Sequence, residues 1–252
     1  MKKLIYILLA ALALTACGKK GPLIPPEALV PAAVANLQVQ QQAGDFRISW
    51  SAPTKEQGGR PLRDLAGFQL LRRQLLPGDT DCAACPDAWQ LLTAVDLDLP
   101  AGVQRSGDLY IYLDRAIKPT TSNQYRLLAT SRSGGVSRPA TSALKKIHPP
   151  PPPPLLTATA TPATVRLELA PGGEQTPAAI GFNIYRRLAG KEPQPLPLNP
   201  APVTGPVWED QRVEYGATYR YAATAVVRID GDTVESSPSA EVEVVFTLPE
   251  LR

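Results

Sequence analysis

The sequence predicts an all-β protein made of two β-sandwiches in tandem, and three observations carry that expectation. Short apolar–polar alternations such as Phe46-Arg47-Ile48-Ser49-Trp50 recur along the chain. Turn-forming clusters divide them, with 28 Pro and 18 Gly among 252 residues. The order of features in the first half also returns in the second. Alternation with a period of two marks a strand with one buried face. No stretch shows a long helical period with caps, so short strands separated by turns point to a sandwich.

The chain opens differently. Lys2 and Lys3 precede an apolar run from Leu4 to Leu14, followed by Thr15-Ala16-Cys17-Gly18. A charged end, a short apolar stretch and small residues describe a secretory signal peptide, here 1–16. The run is too short to cross a hydrocarbon core of about 30 Å, which needs roughly 20 residues. Leu14-Thr15-Ala16-Cys17 resembles the lipobox of bacterial lipoproteins. The resemblance implies that Leu14, Thr15, Ala16 and Gly18 guide the lipoprotein signal peptidase. Cys17 would then begin the mature chain, acylated (palmitate) on its thiol and on its new amino group. Gly18, where Asp would retain such a protein at the inner membrane, implies the outer membrane, facing the periplasm or the cell surface. A plain signal peptide with a Cys at its cleavage site is the alternative.

Residues 17–33 read as a tether. Gly and Pro in Gly18-Lys19-Lys20-Gly21-Pro22-Leu23-Ile24-Pro25-Pro26 exclude helix and sheet. Fully extended, Gly18 to Pro31 spans roughly 45 Å at about 3.3 Å per residue. One role is a spacer that leaves Lys19 and Lys20 near anionic headgroups. The same residues also resemble the N-terminus of small outer-membrane lipoproteins that assist assembly of the lipopolysaccharide transport machinery. That resemblance implies a partner for Lys19, Lys20, Gly21 and Pro22.

The strands begin after Val34. Gly67 to Arg73, Leu109 to Leu113 and Gln124 to Thr130 follow Phe46 to Trp50 as strand candidates. Phe68-x-x-x-Arg72-Arg73 returns as Phe182-x-x-x-Arg186-Arg187, and Tyr125-Arg126-x-x-Ala129-Thr130 as Tyr219-Arg220-x-x-Ala223-Thr224. Val165 to Leu169 matches Phe46 to Trp50, and Asp114 and Asp210 each precede their Tyr by about ten residues. Units of about 100 residues are too long for a solenoid repeat. These residues resemble the fibronectin type III family, an immunoglobulin-like sandwich. The resemblance implies a second-strand Trp, here Trp50 with Leu169 in the second copy. It also implies a corner Tyr, here Tyr125 and Tyr219, whose hydroxyl bonds to backbone upstream. Trp50, Phe68, Tyr125, Phe182 and Tyr219 are then packing residues. One Arg of each pair should face solvent, because alternate strand residues point to opposite faces. The sandwiches span 34–148 and 155–248.

Between them, Pro149 to Pro154 favours a polyproline II rod of about 19 Å, at roughly 3.1 Å per residue. A stiff spacer would limit how far the sandwiches fold onto each other; a docking site for a proline-reading domain is the alternative. The first copy also carries an insert. Phe68 and Tyr125 are 57 positions apart, Phe182 and Tyr219 only 37. The insert contains Cys82-Ala83-Ala84-Cys85. A local disulfide suits an oxidising compartment. A redox pair would need a helix N-terminus in a βαβ setting, and a metal site two more Cys or His ligands.

Composition removes several classes. Without Lys2 and Lys3, 24 basic residues face 23 acidic ones, so no basic surface for nucleic acid is expected. His148 is the single His, set beside six prolines as a solvated linker residue, which argues against a zinc enzyme or a Ser-His-Asp hydrolase. Neither catalytic nor metal residues nor a cofactor are expected. The reading is a non-enzymatic outer-membrane lipoprotein, held to the membrane by Cys17, that presents two sandwiches to an unknown protein or carbohydrate of the envelope. An accessory acting through Lys19–Pro22, or a carbohydrate-binding module, are the alternatives.

Overall fold

The computed structural model describes residues 25–174 and 177–247. The expectations for 1–16 and for Cys17 to Pro22 concern residues outside this range. The fold is all-β with two sandwiches, as the alternation predicts. In the first, one sheet holds β1 (Gln38–Gln42), β2 (Asp45–Ser51), β6 (Leu109–Asp114) and β5 (Gln104–Ser106), in that spatial order. The facing sheet places β3 (Leu65–Leu75) between β4 (Gln90–Asp96) and β7 (Ser122–Ser131). β8 (Ala140–Thr141) and β9 (Lys145–Lys146) both pair with β7.

Alternation decides which side chains enter this core. Phe46, Ile48 and Trp50 of β2 point inward, as do Phe68 and Leu70 of β3 and Tyr125, Leu127 and Ala129 of β7. Trp50 lies edge-on to Phe68 at 5.6 Å and stacked on Tyr110 at 5.9 Å. Aromatic pairs at these separations add about 0.5–1.5 kcal/mol beyond area burial.

The second sandwich repeats the plan without the central Trp. One sheet runs β10 (Leu155–Ala160), β11 (Val165–Ala170), β13 (Val207–Asp210). The other pairs β12 (Gly181–Leu188) with β14 (Thr218–Ile229), and β14 also with β15 (Asp232–Glu235) and β16 (Val242–Val245). Val165, Leu167, Ile184, Ala223 and Ala225 are buried, and Leu169 stands where the first copy has Trp50. Gly67 and Gly181 precede the matching Phe residues for a shared reason. A Cβ on Gly67 would lie 2.0 Å from the Val95 carbonyl oxygen, and one on Gly181 2.7 Å from that of Val203.

Each core contains the same buried polar triad. Arg72 Nη1 donates to both carboxylate oxygens of Asp114 at 2.9 and 2.7 Å, and the Tyr125 hydroxyl donates to Asp114 Oδ2 at 2.9 Å. In the second copy Arg186 Nη1 reaches Asp210 Oδ2 at 2.6 Å, and the Tyr221 hydroxyl donates to it at 3.0 Å. Strand register agrees, with Arg72 opposite Tyr125 and Arg186 opposite Tyr221. The expected repeat alignment is therefore displaced by two residues, for Tyr125 corresponds to Tyr221. Tyr125 is no corner. The corner is Tyr219, whose hydroxyl accepts the Glu214 backbone N–H at 2.9 Å. Asn123 takes that place in the first copy and bonds to the Thr121 carbonyl instead. Burial and the neighbouring Asp raise the pKa of both Tyr125 and Tyr221, so both hydroxyls stay protonated donors.

The prolines do not hold the sandwiches apart. β15 runs parallel to β1, pairing Gln41 with Val234 and Gln42 with Glu235, so one eight-stranded sheet passes through both units. The free backbone groups of an edge strand explain this, since they accept a neighbouring strand wherever one comes within reach. The hairpin β14–β15 supplies that neighbour through a two-residue turn at Asp230 and Gly231, with φ of 52° and 85°. The proline run is anchored at both ends. Before it, Gln41 bonds the backbone N–H and C=O of His148, at 2.9 and 2.7 Å. Near its far end, the Pro153 carbonyl passes so close to Gly172 that a Cβ there would lie 1.7 Å away. His148 is thus clamped at the junction rather than solvated.

Candidate functional site

The described chain enters the first sandwich at the end remote from the junction. Ala32 N–H donates to Lys55 O at 2.9 Å, Gln57 N–H to Val30 O at 2.8 Å and Gly58 N–H to Ala28 O at 2.8 Å. These bonds fasten residues 28–32 to the β2–β3 loop, and β1 then runs from that end toward β15. Residues 28–32 therefore lie at one end of the first sandwich, with the second sandwich at the other.

The junction is polar and buried. Arg47 of β2 donates from Nη2 to Glu235 Oε1 at 2.9 Å and to Gln40 Oε1 at 2.8 Å, and from Nη1 to the Tyr185 hydroxyl at 3.2 Å. Glu235 Oε2 accepts from Tyr185 at 2.7 Å and from Thr224 at 2.9 Å. Both charged side chains are almost fully buried. Burial works against the Arg47 charge, but Glu235 and Tyr185 more than offset it and raise its pKa. Burial and Glu235 raise that of Tyr185. Removing one partner of such a pair strands the other charge and costs about 3–5 kcal/mol. A half-buried pair, Lys145 with Asp232, links the units nearby. The Ala43 N–H donates to the Glu235 carbonyl at 2.9 Å.

Beside this network lies a groove of about 450 Å³ with walls from both sandwiches, including Arg115, Tyr185, Arg187, Glu192, Pro195 and Arg220. Its guanidinium groups are largely neutralised. Arg187 grips Glu241 through two bonds of 2.7 and 2.6 Å, and Arg220 bonds Glu243 at 2.8 Å. Among the described residues no cluster of three or more His, Cys, Asp or Glu can hold a metal ion.

The cysteine insert is the other distinctive feature. Cys82 and Cys85 are joined, with S–S 2.04 Å, in the loop between β3 and β4. Trp89 holds that loop by donating from Nε1 to the Ala83 carbonyl at 3.0 Å. The Arg126 guanidinium stacks on the Trp89 ring at 3.9 Å, and that of Arg73 lies 5.6 Å away. Arg73 also bonds Asp81 at 2.5 Å and Gln124 at 2.6 Å. The expectation that one Arg of each pair faces solvent fails in the first copy, where Arg72 is 6% and Arg73 4% exposed. Arg72 points inward to Asp114; Arg73 points outward, where the insert covers it. Sequence reasoning also missed Trp89 and Arg47, since nothing in their local patterns signals a distant partner.

No family model and no curated protein matches the chain. Among solved structures, the FN1–FN3 domains of chicken CNTN1 align over 86% of this chain and 68% of theirs, at 12% identity and TM-score 0.35. The chicken interferon gamma receptor alpha chain aligns over 87% and 98%, at 13% identity and TM-score 0.33. On strand order and core pattern, the described chain is two β-sandwiches in tandem.

Proposed function

We propose that this chain is a non-enzymatic outer-membrane lipoprotein that presents its two sandwiches, as a single rigid body, to a protein of the cell envelope. The observation that carries the proposal is the junction: a shared sheet and a buried Arg47–Glu235 pair fix the second sandwich relative to the first. Fixed geometry matters for presentation because a preorganised surface loses less conformational entropy on binding. The Lys2-Lys3 start, the apolar run and Leu14-Thr15-Ala16-Cys17-Gly18 support the anchor. The entry point of the chain, opposite the junction, is consistent with a body that extends away from its tether. Fibronectin type III-like sandwiches carry many unrelated activities, so the fold alone does not name the partner.

Two experiments test the proposal. Metabolic labelling with palmitate should mark the wild-type chain and not Cys17→Ser, while a labelled Cys17→Ser protein refutes the anchor. In-cell crosslinking should lose its adducts when either sandwich is deleted and retain them when 18–26 is deleted. Loss only in the second deletion would move the activity to Lys19–Pro22, with the sandwiches as a spacer.

A further inference from the structure

The matching faces of the two sandwiches are used differently. In the second copy, Tyr185 and Ala222 sit opposite each other on the outer face of β12 and β14. Tyr185 there receives the first sandwich, through Arg47 and Glu235. The equivalent pair in the first copy is Leu71 and Arg126, on the outer face of β3 and β7. This face continues onto β4 through Leu91, which lies opposite Leu71 and is 53% exposed. The cysteine insert borders this face on one side and places Trp89 against Arg126.

Arg126 is poised and under-satisfied. Its guanidinium is immobilised by the Trp89 ring at 3.9 Å, and its one hydrogen bond, to the Ala83 carbonyl, is long at 3.5 Å. Its Nε is buried with no hydrogen-bond partner. No carboxylate of the described residues pairs with it, whereas its neighbour Arg73 has Asp81, and Arg132, past the end of the same strand, has Asp98. Trp and Arg are the side chains most enriched among residues that dominate protein interfaces, especially where apolar neighbours exclude water. A guanidinium already stacked and stripped of part of its water gains most from a carboxylate, which can accept two parallel bonds.

We propose that the outer face of β4–β3–β7, centred on Arg126 stacked on Trp89 and flanked by Leu71 and Leu91, docks a protein segment that brings a carboxylate among apolar side chains. This rests on the protein-presenting role proposed above and assigns it a face and a partner chemistry. The second sandwich lacks the site, because Ala222 replaces Arg126 and its outer face is taken up by the junction.

The test is fluorescence-polarisation titration of the full lipidated chain in detergent micelles, with a labelled twelve-residue peptide of alternating Leu and Glu. A twin peptide with Gln for every Glu is the control. The Glu peptide should bind at least tenfold more tightly, and Arg126→Gln should abolish the difference while leaving the thermal midpoint within a few degrees. Arg220→Gln, in the interdomain groove, should leave the difference intact. Equal affinity for both peptides, no binding by either, or loss of discrimination in Arg220→Gln instead overturns the assignment. Displacement of the Glu peptide by phosphatidylglycerol vesicles, but not by excess unlabelled peptide, would make the face a lipid-headgroup site and overturn it as well. In-cell crosslinks that depend on the sandwiches but survive Arg126→Gln would leave the presenting role standing and remove only this face.

Discussion

The two sandwiches share an internal triad and differ almost everywhere else that matters for binding. Arg72–Asp114–Tyr125 and Arg186–Asp210–Tyr221 occupy the same register. Around that triad the first copy clusters Trp50, Phe68 and Tyr110, while the second has Leu169 in place of the Trp and sets Phe182, Tyr219 and Phe246 among Val, Leu, Ile and Ala. On the outside, the first copy adds an insert and exposes Leu91 on its face, while the second commits its face to the junction. The comparison teaches that the buried ion pair is part of the scaffold and that divergence is concentrated on the outer faces.

The largest effect should come from the triads. Asp114→Ala leaves Arg72 buried and unpaired, and should cost about 3–5 kcal/mol in urea unfolding. Asp210→Ala should cost less, because the Arg186 side chain is 19% exposed and can regain water. Equal losses would break the distinction between the two copies. Tyr219→Phe removes the corner bond to Glu214 N–H and should cost about 1 kcal/mol. The same substitution at Tyr125 removes a bond to a buried carboxylate and should cost more, about 1.5–3 kcal/mol. The smallest effect is electrostatic. The bonds from Arg187 hold the Glu241 carboxyl below its ordinary range. Its contribution is complete above the unfolded value of about 4.3 and fades only as pH falls through the lowered folded value. A carbon-13 titration should therefore place the Glu241 midpoint below about 4.3, and Arg187→Gln should return it there.

Much of the fold was legible in the sequence because strand alternation is local. Phe46 to Trp50 and Gln124 to Thr130 announce their buried faces in a few residues. The triads were half legible. The spacing of eleven from Asp114 to Tyr125 recurs from Asp210 to Tyr221, but the local likeness of Tyr219-Arg220 to Tyr125-Arg126 points two residues away from it. Arg73 reads as a solvated strand residue because its cover, the insert, belongs to a different segment. The junction was not legible at all. Arg47 and Glu235 are separated by 188 positions, and a run of six prolines suggests distance where backbone pairing at β1 and β15 imposes contact.

The claim that the sandwiches form one body is tested most directly by the distance distribution between spin labels, introduced as unnatural amino acids at Leu99 and Val245. Both positions are exposed, one on each sandwich. Double electron–electron resonance should give a single narrow distribution for the wild-type chain and a broad one for Arg47→Ala. A broad distribution in the wild type, unchanged by Arg47→Ala, would mean that the sandwiches move independently, and would contradict the shared sheet as the basis of presentation.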